Sequence, residues 1–326
     1  MSPIRLRAMV AVVTSTLISA IDPARAQQLE PLAMSYIQAN SAYWDIAVAW
    51  DKGLFAKEGF APSYATNTGS VQSTQLLITQ SVQMAISQPE VLIAAASRGT
   101  RDIGAFAAPM DRPDWLLVAQ SAIKTIPELK GKVLGFSGLR VGEYWLTREV
   151  LKVKGLGPKD VDAIQVGTSP AKFAALEKGS IAATLLFQPT AAQAVASGFT
   201  SLYDFSETSG FIPLLYMVNR KWAADKDYGK RLSRAIRTAH EWLNDPANRA
   251  EAISILAKAT KREPKLLEQI YEQYFTHKAY SADGAVDEKS IENWEKLMSE
   301  NGELSAGSAP SVDDLLLPAQ LGGLRK

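Results

Sequence analysis

Apolar positions recur along residues 46–54 at the spacing of one helical face. Ile46, Ala49, Trp50, Gly53 and Leu54 follow i, i+3, i+4, i+7, i+8, the period that buries one side of a helix. Gly53 predicts the helix end, because the left-handed backbone that closes a helix excludes most side chains. Leu54 and Phe55 then pin the chain into a core, and Gly59 turns it into the apolar, aromatic stretch FAPSYA. Upstream, PLAMSY (31–36) has strand character and leads into a loop at 37–41. Downstream, GSVQSTQLLITQ predicts a helix opening at Gly69 and Ser70, VQMAIS a short strand, and EVLIAAASRG a helix that starts after Gln88-Pro89 and stops at Gly99. Strands alternating with helices of about ten residues predict βαβ units around a mostly parallel sheet.

The last of these segments has an echo. LLITQSVQMAISQPEVLIAAASRG, ending at Gly99, and AALEKGSIAATLLFQPTAAQAVASG, ending at Gly198, both run helix, turn, short apolar strand, Gln-Pro, Ala-rich helix, Ser and Gly. Gln88-Pro89 and Gln188-Pro189 fall at the same point of each, and proline suits the first turn of a helix, where its missing N–H costs nothing. Two α/β lobes built on one plan are therefore expected. LKGKVLGFS reads as a turn and strand of the second lobe, GEYWLTREVLKVKGL as its helix with Trp145, Val150 and Leu151 among the apolar positions, and FIPLLYMVNRKWAAD as a returning strand. Helices over 228–243, 249–259, 264–275 and 290–299 complete the pattern, followed by a Gly-, Ser- and Pro-rich tail. With one copy of the repeat on each side, the chain is expected to cross between lobes twice, near 118–122 and 210–214. Lobe one then comprises 27–119 and 212–326, and lobe two 120–211.

Residues 1–26 stand apart from this pattern. Arg5 and Arg7 precede an apolar or small run, Ala8 to Ala20, and Ala24-Arg25-Ala26 has the small-x-small form of a signal-peptidase site. The run is too short to anchor a bilayer, so it reads as a cleaved secretory signal with the mature chain starting at Gln27. A soluble periplasmic protein, monomeric, is the expectation. The whole chain carries a net charge of +1, and removing Arg5, Arg7 and Arg25 against Asp22 leaves about −1; without a basic block, nucleic acid is not the expected partner. The chain has no cysteine. It must rely on a packed core rather than disulfides, and it lacks the Cys a lipid-anchored form requires.

Catalytic motifs are missing. There is no phosphate-cradling GxxxxGK[ST], no GxSxG elbow and no HExxH. His240 reads as half-buried helix packing and His277 as a loop residue, so no metal and no cofactor are expected. The residue types change at the predicted strand ends, where ligands of open α/β sheets bind and helix N-termini offer free N–H groups. Gln38, Asn40, Tyr43 and Trp44 follow the first strand, Ser70 opens the second helix, and Gln88 follows the third strand. In the second lobe Ser137, Arg140, Val141, Gly142 and Tyr144 link strand to helix, and Gln188 repeats the Gln88 position. Amides, hydroxyls and aromatics with one Arg at a helix start describe a site for a small organic anion: Arg140 as the clamp, with Tyr43, Trp44 or Tyr144 stacking on the ligand's body.

Four motifs in order carry a family resemblance. AVAWDKGLFAKEGF, IPELKGKVLGFS, VLKVKGLGPKDVDAIQVG and AALEKGSIAATLLFQP make the stretch from about 31 to 300 resemble the periplasmic substrate-binding proteins of ABC importers for nitrate, taurine and aliphatic sulfonates, related to the thiamine-pyrimidine synthases. The resemblance implies a two-lobe type II periplasmic binding protein fold, α/β in class. It also implies a receptor that captures its ligand between the lobes and delivers it to an inner-membrane ABC permease. Two departures stand out: Ala182 replaces an acidic residue the family often carries, and SGLRVGEYW replaces a Ser/Gly-rich binding loop. The Arg and two aromatics of that loop favour a bulkier sulfonate or carboxylate, aromatic in body. Two other classes stay open at this point. A sensor would have the same closure read by a membrane kinase. An enzyme would resemble the related synthases and desulfinases, but this chain has no Cys nucleophile and no His in NSAYWDI.

Overall fold

The computed structural model describes residues 29–37, 41–67, 69–276, 278–305 and 307–326. The expected signal segment, its cut site, Gln38, Asn40 and His277 lie outside the described residues. In chain order the first part runs β1 (Glu30–Ile37), α1 (Trp44–Asp51), α2 (Leu54–Lys57), β2 (Phe60–Asn67), α3 (Ser70–Ile78), β3 (Met84–Ser87), α4 (Pro89–Ser97) and β4 (Ile103–Ala107). The middle runs β5 (Leu116–Ala119), β6 (Lys132–Phe136), α5 (Gly142–Val153), β7 (Val161–Gln165), α6 (Ser169–Glu177), β8 (Ala183–Leu186), α7 (Thr190–Ala196) and β9 (Thr200–Asp204). The chain then returns through β10 (Leu215–Asn219) to α8 (Arg220–Ala224), α9 (Tyr228–Asn244), α10 (Arg249–Thr260), α11 (Pro264–Thr276), α12 (Glu288–Glu300) and α13 (Val312–Leu315).

Two five-stranded sheets result, ordered β2-β1-β3-β10-β4 and β7-β6-β8-β5-β9. In the first, β1 pairs parallel with β2 and β3 while β10 is antiparallel to β3 and β4. In the second, β6 pairs parallel with β7 and β8 while β5 is antiparallel to β8 and β9. The two sheets thus share one plan, and in each the antiparallel strand is the one arriving from the other sheet. Gln88 follows β3 and Gln188 follows β8, on different sheets, as the repeat implies. The crossings lie at 108–115 and 205–214. The second contains the expected 210–214; the first comes ahead of the expected 118–122, because Leu116–Ala119 pairs with β8 and β9 and so belongs to the second sheet. The two crossing segments touch, Phe205 N–H donating to the Trp115 carbonyl at 2.9 Å and Arg112 Nη1 to the Ser206 carbonyl at 3.4 Å.

Alternation along the strands divides the core. Tyr216 and Val218 of β10 face one apolar cluster with α1, α9, α10 and α11, while Leu215 and Met217 face a second with α3 and α4. That second cluster continues into the other sheet through Trp115, Leu117, Leu134 and Trp145. A third lies beneath α6 and α7, built on Leu116, Val118 and Leu186. Gly53 has φ +65°, the left-handed value expected of it, and Leu54 and Phe55 are buried. Trp50 departs from the expected buried face: it is 38% exposed and stacks on Tyr64 of β2, ring centroids 4.5 Å apart. His240 departs the other way and is fully buried. Its Nδ1 faces the Ser281 carbonyl at 2.8 Å and its Nε2 the Asp45 carboxylate at 3.0 Å, and Asp45 also accepts from Tyr216 and Tyr280. Both ring nitrogens face acceptors, so the imidazolium is the form that satisfies the site.

Candidate functional site

Parallel strands end where the next helices begin, leaving helix N–H groups and strand-end side chains to satisfy one another. At the carboxyl ends of β1, β2 and β3 this produces a cluster of hydroxyls and amides. Asn67 Nδ2 donates to Ser35 Oγ at 2.5 Å, Ser35 Oγ lies 2.6 Å from Ser73 Oγ, and Asn67 Oδ1 accepts the Gly69 N–H at 3.0 Å. Ser70 Oγ accepts the Gln88 N–H at 3.2 Å and donates to Gln88 Oε1 at 3.3 Å; Thr74 Oγ1 and Ser87 Oγ are 2.9 Å apart. Ser70 and Gln88, chosen separately from the sequence, are thus brought together. Asn67, Thr74 and Ser87 were missed, although Asn67 and Ser87 stand at strand ends and the same rule reaches them.

Tyr43 and Trp44 do not flank this cluster as stacking faces. Tyr43 is 2% exposed and Trp44 fully buried. The Trp44 indole N–H donates to the Ala252 carbonyl on α10 at 2.8 Å, and its ring meets Tyr271 and Tyr274 edge-on. The helix that begins at Trp44 docks against α9 and α10, so its first residues enter the core.

In the second sheet the loop after β6 is organised by a buried ion pair. Lys172 Nζ lies 3.0 Å from Glu143 Oε2 and donates to Ser137 Oγ at 3.1 Å, while the Ser137 N–H donates to Glu143 Oε1. Burial pulls the Lys172 pKa below its usual value despite the raising effect of Glu143. Ser137 therefore joins a structural cluster. Val141 is the extended residue before α5, and Tyr144 packs edge-on to Phe136 with Arg148 over its ring. Arg140 does not stand free over the helix start. Its side chain is 76% exposed and its guanidinium grips both oxygens of Glu303, at 2.5 to 3.0 Å. Glu303, just beyond α12, supplies the carboxylate that the sequence reading assigned to a ligand. Gln188 is buried, its Oε1 accepting from Ala192 N–H at 3.0 Å and its Nε2 donating to Gln273 on α11 at 2.9 Å.

Between the sheets, other residues meet. The Gly142 N–H at the start of α5 donates to Glu90 Oε1 at 2.8 Å, so a carboxylate of α4 caps a helix of the other sheet. Burial raises the Glu90 pKa to about 7; the Gly142 amide offsets this in part and the Glu143 charge adds to it. The Trp294 indole of α12 covers the same point and donates its N–H to the Ile212 carbonyl at 2.8 Å. In the first crossing, Asp114 accepts from Tyr274 Oη at 2.5 Å, and that hydroxyl also lies 2.8 Å from Ser41 Oγ. Burial lifts the Asp114 pKa to about 6. Glu90 carried one sequence signal, standing two residues after Gln88 in a helix that opens at a strand end. Asp114 and Lys172 carried none, because their partners lie 160 and 29 residues away.

Among the described residues no group of three or more His, Asp or Glu side chains could hold a metal ion, and no helix is long and apolar enough to cross a membrane. Two surface clefts, of about 280 and 420 Å³, lie away from the strand ends: one beside Lys230, Arg234 and Gly322, the other beside Lys132 and Ile181 at the amino end of β6.

The fold has counterparts among known proteins. A Bacillus subtilis (strain 168) protein named "Putative binding protein YtlA" is 26% identical over 291 residues, covering 85% of each chain. The nitrate-binding protein NrtA from Synechocystis PCC 6803 superposes with a TM-score of 0.73 at 14% identity, over 91% of this chain and 92% of that one. The alkanesulfonate-binding protein SsuA from Xanthomonas axonopodis pv. citri gives 0.70 at 17% identity, over 88% and 98%. Residues 40–249 match the family described as NMT1/THI5 like, and with well over half its length inside that match the chain belongs to the NMT1/THI5-like family.

Proposed function

We propose that this protein is the solute-binding component of an ABC import system, closing two lobes on a small organic anion, a sulfonate or carboxylate, and delivering it to an inner-membrane permease. The observation that carries the reading is the hydroxyl and amide cluster of Asn67, Ser70 and Gln88 at the carboxyl ends of the first sheet, where α4 begins and its Glu90 reaches the start of α5 in the second. Hydroxyls and helix N–H groups are the donors that hold an acid group without a dedicated cation. The fold shared with alkanesulfonate- and nitrate-binding proteins supports it. In this reading each sheet is one lobe, the crossings at 108–115 and 205–214 are the hinge, and ligand contacts made only in the closed form shift an open–closed equilibrium. The protein works as a periplasmic monomer released from its signal segment, with no catalytic step. Thermal-shift and calorimetric titration of residues 27–326 with a panel of sulfonates and carboxylates tests it. Saturable binding of at least one, with a smaller radius of gyration in solution scattering, is expected; binding of none refutes the proposal.

A further inference from the structure

Glu90 is a carboxyl whose surroundings come from both lobes. It stands on α4 of the first lobe and is 3% exposed, and its Oε1 accepts the Gly142 N–H at the start of α5 in the second, 2.8 Å away. Its Oε2 is buried without a hydrogen-bond partner. Among the described residues no cation pairs with it. Lys172 is held by Glu143 of α5, whose charge also acts on Glu90. The other helices packed on α4 are α3, α12 and α13. The residues of α3 carry no charge. On α12, Lys289 pairs with Glu292, Lys296 with Glu300 and Glu288 with Arg325, while Glu295 adds a further acid. On α13, Asp313 and Asp314 are taken by Arg325 and Arg101. An ionised carboxylate in such a place is costly to bury, and a neutral carboxyl far less so. Burial accordingly raises the Glu90 pKa to about 7, against about 4.3 for a glutamate in water.

We infer that Glu90 is a proton-coupled latch: closing the lobes takes up a proton at its carboxyl, so the receptor holds its ligand more tightly in acid than in alkaline surroundings. The inference rests on the solute-binding reading and adds a regulation to the same closure. Parting the lobes removes the Gly142 amide and lets water reach the carboxyl, which then ionises as an ordinary glutamate does. A carboxyl whose pKa is higher closed than open favours closure in full below the open value, and loses that effect as pH rises through the closed one. For Glu90 that interval runs from about 4.3 to about 7.

Calorimetry of residues 27–326 from pH 5 to 8.5 tests it, with propane-1-sulfonate and benzenesulfonate, acids that stay ionised throughout. The affinity of at least one is expected to fall about tenfold or more between pH 5.5 and 8 and to level off above that. At pH 6, titrations in two buffers of different ionisation enthalpy should give uptake of about one proton per ligand bound. Glu90→Gln keeps an oxygen for the Gly142 N–H; it should flatten the profile and bind about tenfold more tightly than wild type at pH 8. Asp114→Asn, which removes the other buried carboxyl of the interface, should keep the slope. A wild-type affinity that does not change with pH, without proton uptake, overturns the inference and leaves the receptor reading standing. So does a slope that survives Glu90→Gln or is lost with Asp114→Asn. The wild type and Asp114→Asn decide the matter if Glu90→Gln fails to fold. Binding of neither probe at any pH overturns this inference, and binding of no acid in the wider panel overturns both.

Discussion

Gly142→Ala is a test of lobe closure that leaves each lobe's own packing intact. A methyl group added at Gly142 would stand 2.5 Å from both Cη2 and Cζ3 of Trp294 and 2.9 Å from Glu90 Oε1. Carbon atoms in ordinary contact sit about 3.5–4.0 Å apart, so the indole must give way by roughly 1 Å. It has little freedom to do so, because its N–H is held by the Ile212 carbonyl and its ring packs edge-on to Phe211. Overpacking of this kind costs about 1–3 kcal/mol. Within α5 itself alanine is the better residue, by up to about 1 kcal/mol in a helix interior. The clash is with residues of α4 and α12, across the interface, so opening the lobes relieves it and the cost falls on closure rather than on folding. A coupling of about 1–3 kcal/mol is roughly 5- to 150-fold in affinity. Calorimetry should show a loss in that range for the tightest-binding acid, and scattering should show a larger radius of gyration for the liganded variant, with the unliganded melting temperature nearly unchanged. An affinity within twofold of wild type refutes the reasoning, as does a large fall in melting temperature with binding intact.

Glu143→Gln leaves the Lys172 ammonium buried without its counter-ion, and breaking such a pair costs about 3–5 kcal/mol; urea unfolding should show a lower midpoint, with Glu143→Leu/Lys172→Met recovering most of it. For His240, burial lowers the pKa, but the Asp45 charge and the hydrogen bonds to Asp45 and Ser281 outweigh it, so the folded value stands above 6.5. The stability this adds is complete below about pH 6.5 and is lost as pH rises through the folded pKa; in thermal melts across pH, His240→Gln should lack that loss. Asp114 moves from 3.8 to about 6, so its contribution is complete below 3.8 and lost as pH climbs toward 6; Asp114→Asn should gain on the wild type over that interval, and a parallel pair of melting curves would refute it. Arg140→Ala should leave ligand affinity within about threefold, because its partner Glu303 belongs to the protein and exposed pairs contribute little; a larger loss on titration would return Arg140 to the binding site.

The parts of this molecule that were legible in the sequence are those set by local chemistry. Helix and strand positions followed from periodicity and from Gly and Pro. The two-sheet plan followed from one repeated Gln-Pro segment, and Ser70 with Gln88 from the rule that ligands gather at strand ends. The first crossing was misplaced because LLVA at 116–119 is equally good as a strand of either sheet, and only its pairing with β8 and β9 decides. Arg140 looked free because its partner lies 163 residues away. Trp44 looked available because a helix start at a strand end can face either a cleft or the core, and the docking of α1 on α10 decided for the core. Glu90 and Gly142 meet only once both lobes exist.

The apolar cluster that runs from α3 and α4 through Trp115 into α5 has a consequence for how the chain comes apart. Two domains with separate cores can melt in separate steps, whereas a core lined from both sides loses its packing for both at once. The two halves of this chain are therefore expected to form one cooperative unit. Damage to either half should be felt by the other, and a calorimetric scan should show a single transition although the architecture is double.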